Sequence, residues 1–203
     1  MYHASEADVV RAAGIYLMHP VGQALNFHQN LARSITIQSE FQKSRMRTDI
    51  AYFKSPNRQG NPGRAFAVIE FKKRGVLSNA QFAAATKPVD TTNPAQVKQA
   101  VDAAMKRPPV GGDRSFFERS SLKCIKQVAA YALNNKIQYA ALFDWDVLVL
   151  VRFSQHNIGP QPGNVNPSVG NWCELTVFTT AESHLMRPAL LGFLAEAYVK
   201  TPY

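Results

Sequence analysis

Three acidic residues and one lysine lie in or next to short predicted strands. The acids are Glu40, Asp49 and Glu70, and Lys72 follows Glu70 by two residues. Carboxylate oxygens are the ligands that hard cations such as Mg²⁺ prefer, together with water and substrate phosphate oxygens. A lysine beside such a cation can orient or help deprotonate an attacking water. These residue types therefore indicate metal-assisted hydrolysis of a phosphodiester, with the metal stabilising the added negative charge of the transition state.

The strand patterns around these residues predict how the side chains are arranged. Alternation of apolar and polar residues, or a short apolar run, predicts strands at 34–41, 47–53 and 64–73. Side chains alternate between the two faces of a strand, so Glu70 and Lys72 share one face at the end of the third strand.

A hairpin between the first two strands would bring two acids together. If the chain turns at residues 44–45, the numbers of opposed residues sum to 89 and Glu40 faces Asp49. Like charges on directly opposed strand residues repel, so a cation should lie nearby. Lys72 is one candidate and a divalent metal is another. The alternative is an ordinary surface group of ion pairs, in which Arg47 and Lys72 neutralise the two acids.

The rest of the sequence alternates between helical and strand patterns. Helical spacing and caps predict five helices. They begin at Ser5, at about residue 22, at Asn93–Pro94, at a Ser115–Glu118 capping box and at about residue 181; the second extends to about 31 and the fourth to about 135. Pro20 is expected to end or interrupt the first helix, and Pro188 the last. Further strands are predicted at 139–143, 147–153 and 172–178. This order predicts an α/β fold with a mixed sheet flanked by helices.

Two stretches resemble the signature of PD-(D/E)xK nucleases. Arg-Thr-Asp-Ile at 47–50 and Val-Ile-Glu-Phe-Lys at 68–72 are similar to its Asp on the second core strand and its acid-x-Lys on the third. Thr48 stands where the family has proline. Gln127 and Tyr131 resemble the Gln-x-x-x-Tyr motif of RecB-like members, and residues four apart share one face of a helix.

The resemblance covers roughly residues 5–153 in the order α-β-β-β-α-β. Within this family, the chain is similar to fungal and oomycete stand-alone or kinase-associated nuclease-like domains. The resemblance implies a restriction-endonuclease-like core in a single domain, residues 1–203. A helical insertion is expected at about 77–112, and a C-terminal extension at about 154–203 adds a strand and a helix.

The resemblance also implies roles for individual residues. It assigns Asp49 and Glu70 as ligands of Mg²⁺ or Mn²⁺, Lys72 as a catalytic residue, and Gln127 and Tyr131 as catalytic residues supporting the site or the substrate. Members of the family often use a further acid from the first helix, where Glu6 is the candidate. We favour Glu40 as the third metal ligand, because the hairpin register places it beside Asp49.

Positive charge is concentrated around these residues. The chain carries a net charge of +9, and residues 41–75 hold nine bases and two acids. The candidate nucleic-acid-binding residues are Lys43, Arg45, Arg47, Lys73 and Arg74. Such side chains bind phosphates in a salt-dependent, largely sequence-independent way, although a solvated basic surface is the simpler alternative. We expect DNA rather than RNA as the partner, with little sequence specificity.

Several other classes of function are excluded. The sequence has no phosphate-binding loop, no dinucleotide-binding glycine motif and no histidine pair at metal-ligand spacing. It has no apolar run long enough for a membrane span, and the residues at its start do not lead us to expect a signal peptide. Cys124 and Cys173 are expected to be buried thiols, which favours an intracellular compartment, with the nucleus as one candidate. An apolar stripe over residues 190–198 predicts either core packing or a homodimer contact.

Three hypotheses follow from these patterns. The first is a metal-dependent nuclease. The second is a nuclease-fold module that binds nucleic acid, or acts as an effector, without catalysis. The third is an unrelated basic scaffold, in which the three acids would be scattered in space. The intact Asp49, Glu70 and Lys72 favour the first, because a module without catalysis has no need of them.

Overall fold

The computed structural model describes residues 5–27, 35–43, 46–54, 63–90, 92–108, 115–117, 119–154 and 173–202. Within these residues one sheet has the strand order β1 Ile35–Lys43, β2 Met46–Lys54, β3 Arg64–Phe71, β4 Tyr139–Phe143, β5 Val147–Phe153 and β6 Cys173–Thr179. Neighbouring strands are antiparallel except β3 and β4, which are parallel. This is the mixed α/β architecture that the sequence predicts.

Helices cover both faces of this sheet. They are α1 Glu6–Ala13, a π-helical turn Gly14–Met18, α2 His19–Phe27, α3 Asn79–Phe82, α4 Pro94–Met105, α5 Arg119–Asn135, a 3₁₀ turn Thr180–Glu182 and α6 Ser183–Lys200. The connection from β3 to β4 carries α3, α4 and α5, because parallel neighbours need a long crossover. In the described part of the chain, no helix has the length and apolar character needed to cross a membrane.

Two hydrophobic cores lie on opposite faces of the sheet. One packs α1, α2 and α6 against Phe66, Ile69 and Phe71 of β3. The other packs α3 and α5 against Val68 of β3 and Leu142 of β4. A strand that is buried on both faces has no solvent side, which explains why β3, β4 and β5 are apolar runs rather than alternating ones.

Pro20 does not end the first helix, contrary to the sequence prediction. The helical path runs unbroken from Glu6 to Phe27, with the wider π-helical turn Gly14–Met18 just before the proline. Proline has no N–H to donate to the carbonyl four residues earlier, which belongs to Tyr16. That carbonyl accepts a hydrogen bond of 2.6 Å from Nε of Arg187 on α6. The lost backbone bond is thus replaced by one from another helix.

Pro188 likewise lies inside α6 and does not interrupt it. The apolar stripe of α6 places Leu190, Leu194 and Tyr198 in the core, so for these residues core packing is the outcome. The end of α6 is tied to β2 by the buried Lys54, whose Nζ donates to the carbonyls of Tyr198 at 3.2 Å and Thr201 at 3.1 Å.

The predicted helix caps are partly confirmed. Ser5 caps α1 in a reciprocal capping box with Asp8, and the Asn93 side chain accepts from two backbone N–H groups at the start of α4. The long helix begins at Arg119 rather than at Ser115, and Glu118 lies outside the described residues. Residues 28–31 of the predicted second helix also lie outside them. Both cysteines are free thiols, one buried in α5 and one half-buried at the start of β6.

Candidate active site

The hairpin of β1 and β2 sets the register of the candidate site. The opposed residues include Ser39 with Ile50 and Phe41 with Thr48, so their numbers sum to 89 as predicted. The next strand continues this alignment, because Ile50 pairs with Ile69 across β2 and β3. Asp49 and Glu70 are therefore neighbours on adjacent strands.

Glu40 departs from the predicted arrangement. The residues on both sides of it keep the register, but Glu40 has a φ of 50°, in the left-handed region, and no ladder pair forms between Glu40 and Asp49. Its side chain is 70% exposed, with Oε1 3.6 Å from an Nη of Arg47. Solvent and Arg47 thus compensate the Glu40 charge, as in the surface ion pair that was the alternative for this residue. The structure does not bring Glu40 to Glu70.

Asp49 is held by the backbone of the strand beside it. Its Oδ2 accepts a hydrogen bond of 2.7 Å from the N–H of Phe71, the last residue of β3. Within the described residues this is the one hydrogen bond to the Asp49 carboxylate, and Oδ1 accepts none. The half-buried carboxylate therefore keeps one oxygen available next to Glu70.

Glu70 is the centre of a hydrogen-bonded cluster. Its Oε1 accepts from Nζ of Lys72 and from Nε2 of Gln127, both at 2.6 Å. Gln127 also lies 2.6 Å from the hydroxyl of Tyr131, four residues along α5. The structure thus brings Glu70, Lys72, Gln127 and Tyr131 together, and places Asp49 beside them.

Burial and charge set the protonation of this cluster. Burial raises the pKa of Glu70, and the charges of Asp49 and Glu6 raise it further, against the opposing effect of Lys72. Burial by itself lowers the pKa of Lys72, but the hydrogen bond and charge of Glu70 outweigh it, and the net pKa is raised. Lys72 therefore remains a cation at neutral pH.

One buried atom of Glu70 has no hydrogen-bond partner in the described part of the chain. This atom, Oε2, is shielded from solvent. Leaving a buried carboxylate oxygen unsatisfied is costly unless a cation or donor reaches it. An oxygen of Asp49 lies on the neighbouring strand, so this pair fits the oxygen preference of a hard divalent cation. Among the described residues, no group of three or more His, Cys, Asp or Glu side chains could hold a metal ion.

Glu6, the first-helix acid, is electrostatically coupled to the site. Its charge contributes to the raised pKa of both Glu70 and Lys72. Of the two further acids considered from the sequence, Glu6 is the one whose charge is among the causes that shift both pKa values. Its side chain is exposed at the start of α1.

Replacing Glu6 with glutamine should lower the pKa of Glu70 in the metal-free protein. Removing a negative charge makes ionisation of a nearby carboxyl easier, so the titration should move to lower pH. Carbon-detected NMR of the Glu70 carboxyl measures this shift directly. Glu40→Gln is the matched control and should leave the Glu70 titration in place. An equal shift in both variants, or no shift with Glu6→Gln, would contradict the coupling.

A buried carboxylate missed by the sequence analysis positions the segment that carries Lys72. Asp144 is fully buried, and its Oδ2 accepts from the N–H groups of Gly75 at 3.1 Å and Leu77 at 2.8 Å. Its Oδ1 accepts from Asp146 at 3.2 Å and Val147 at 3.0 Å. Asp144 thus joins the chain after β3 to the β4–β5 turn. In the sequence it could be interpreted only as a turn residue.

The predicted nucleic-acid-binding residues occupy different environments. Arg47 faces Glu40, and Arg74 forms two hydrogen bonds with Asp146. Lys73 is exposed, and within the described residues it has no ion pair or side-chain hydrogen bond. Arg45 and the side chain of Lys43 lie outside what the structure describes. Two of the five bases are therefore partly neutralised by acids.

No known protein provides a template for this site. Searches against protein-family models, curated proteins and solved structures found no match for this chain. The geometry of Asp49, Glu70, Lys72, Gln127 and Tyr131 is thus the basis on which a function can be argued.

Proposed function

We propose that this protein is a Mg²⁺- or Mn²⁺-dependent nuclease that hydrolyses phosphodiester bonds, with DNA favoured over RNA. One observation carries the proposal. Glu70 directs Oε1 to Lys72 and Gln127, while its Oε2 is buried and has no hydrogen-bond partner among the described residues, on the strand next to that of Asp49. A buried carboxylate oxygen without a donor leaves a position at which a cation can bind.

Asp49 and Glu70 would hold the metal in this proposal. When bound, such a cation supplies a Lewis acid for the phosphoryl oxygens and lowers the pKa of a coordinated water. The backbone hydrogen bond from Phe71 holds Asp49 in position, and half-burial limits competition from bulk water. Glu6 would contribute through the field of its negative charge, which acts on Glu70 and Lys72.

Lys72 would act as a cation rather than as a base. Its pKa is raised, so it keeps its proton at neutral pH and presents positive charge where the phosphate becomes more negative. The same ammonium group can orient an attacking water through its remaining donor hydrogens. Gln127 and Tyr131 support this arrangement, since the amide of Gln127 fixes the rotamer of Glu70.

The test compares cleavage of plasmid DNA, single-stranded DNA and RNA with Mg²⁺, with Mn²⁺ and with a chelator. Asp49→Asn is the informative variant, because asparagine keeps an acceptor oxygen for the Phe71 N–H but removes the charge. We expect metal-dependent cleavage by the parent protein and loss of at least about 10²-fold with Asp49→Asn.

Glu40→Gln is the matched control for this experiment. It removes an acid on β1, the strand next to that of Asp49. The Glu40 side chain is exposed and paired with Arg47, so cleavage should be retained. Cleavage that survives the chelator or the Asp49→Asn change would refute the proposal. Binding of DNA without cleavage in either metal would support the alternative of a nuclease-fold binding or effector module.

A further inference from the structure

The first turns of α5 lie beside the end of β3. The Oγ of Ser120 contacts the carbonyl oxygen of Val76 at 3.1 Å, and Val76 follows Lys72 by four residues. Seven residues further along the helix, Gln127 donates to Glu70 at 2.6 Å. The helix α5 therefore runs in the opposite direction to β3, and its residues between Ser120 and Gln127 lie at the level of Lys72.

Lys123 lies on the side of α5 that faces the candidate site. It follows Ser120 by three residues and precedes Gln127 by four, and residues at these spacings share one face of a helix. The next residue, Cys124, is buried, which raises the pKa of its thiol, whereas the charge of Lys72 lowers that pKa. This part of α5 is therefore within electrostatic range of the Lys72 ammonium group.

The side chain of Lys123 is exposed on a helix that carries no acid. The sequence of α5 contains three bases and neither aspartate nor glutamate. Within the described residues, Lys123 has no ion pair or side-chain hydrogen bond. Lys72, by contrast, is only 13% exposed and is bonded to Glu70. Lys123 therefore presents its positive charge to solvent beside a lysine that is held inside the site.

A nucleic-acid strand at the candidate site brings more than one phosphate to this surface. Each strand of a DNA duplex carries one phosphate for about every 3.4 Å along the helix axis. In the proposed function, the scissile phosphate meets the metal at Asp49 and Glu70 and the charge of Lys72. A second lysine at the level of Lys72, but exposed on the neighbouring helix, is therefore placed for the next phosphate of the same strand.

We propose, resting on the proposed function, that Lys123 binds the substrate phosphate next to the scissile one, so that the strand follows the exposed side of α5. Such a contact fixes the position of the strand and carries no information about the base. Lys123 is a binding residue in this inference and takes no part in breaking the bond.

The test measures the salt dependence of DNA binding in the presence of a chelator, so that it does not depend on cleavage. The probe is a fluorescently labelled DNA duplex, and the logarithm of the association constant is plotted against the logarithm of the salt concentration. Lys123→Gln should reduce the magnitude of this slope by about 0.9, because each phosphate contact releases about that many counterions. Lys123→Arg keeps the charge and should keep the parent slope.

Lys200→Gln is the matched control, because it removes the same charge from an exposed lysine at the end of α6. That helix packs on the face of the sheet opposite to α5. Its end is bonded to Lys54, which pairs with Arg64 at the start of β3 rather than at the end that carries the site. Lys200→Gln should therefore keep the parent slope.

The inference is overturned if the slope of Lys123→Gln equals that of the parent or of Lys200→Gln, or if the parent binds no DNA. At saturating DNA and metal, Lys123→Gln should cleave at the parent rate, because a contact made equally before and in the transition state changes binding alone. A reduced slope in a protein that cleaves no DNA would refute the proposed function alone. Metal-dependent cleavage with an unchanged slope would refute this inference alone.

Discussion

Replacing Lys72 with methionine is expected to lower the rate of DNA cleavage by about 10²–10⁴-fold at saturating DNA and metal. Methionine keeps the unbranched stem but removes the ammonium group, which lies 2.6 Å from Glu70 and on a side chain only 13% exposed. Charge in such a partly water-excluded site stabilises a transition state more than it would in water. Single-turnover kinetics at saturating DNA isolates this effect from binding.

Lys73→Met is the matched control for Lys72→Met. Lys73 is the next residue along the chain but is exposed, so its charge should contribute to phosphate attraction only. We expect weaker binding, a smaller salt dependence and an unchanged cleavage rate at saturation. If Lys72→Met folds to the parent melting temperature and cleaves at the parent rate, Lys72 has no catalytic role. Equal losses in both variants would reduce its role to binding.

The part of the site that follows from local periodicity could be predicted from the sequence. Alternation along two adjacent strands with a short turn between them determines which residues are opposed, and the register sums to 89 as predicted. Helical spacing likewise placed Gln127 and Tyr131 on one face, where Gln127 contacts Glu70 and Tyr131 contacts Gln127. These features depend on residues close in sequence or on the pleat of the sheet, which the residue pattern records directly.

The features that could not be predicted depend on contacts between distant segments or on a single backbone dihedral angle. Pro20 is tolerated because Arg187, which lies 171 residues from Tyr16, supplies a donor to the carbonyl that the proline leaves. Glu40 leaves the strand pairing at a left-handed backbone position, which no alternation pattern reveals. The preference for Glu40 over Glu6 assumed a regular strand, and the electrostatic coupling instead involves Glu6.

Replacing Asp144 with asparagine is expected to lower the free energy of unfolding by about 3 kcal/mol, since hydrogen bonds to a charged acceptor contribute about 1.5–3 kcal/mol each. The carboxylate accepts from four backbone N–H groups, two at each oxygen. An asparagine of the same shape can satisfy one pair, but its NH₂ group faces the other pair donor to donor. Urea denaturation followed by circular dichroism measures the loss.

Asp146→Asn is the matched control, because it changes a carboxylate in the same turn. The partner of Asp146 is the exposed side chain of Arg74, whereas the partners of Asp144 are backbone N–H groups. Its effect on stability should be much smaller than that of Asp144→Asn, because exposed ion pairs contribute little. Asp144→Asn should also slow cleavage, because two of its four donors belong to the segment that follows Lys72. Equal free energies of unfolding for the two variants would contradict this prediction. They would mean that solvent reaches the turn at Asp144 and that its carboxylate does not position the segment with Lys72.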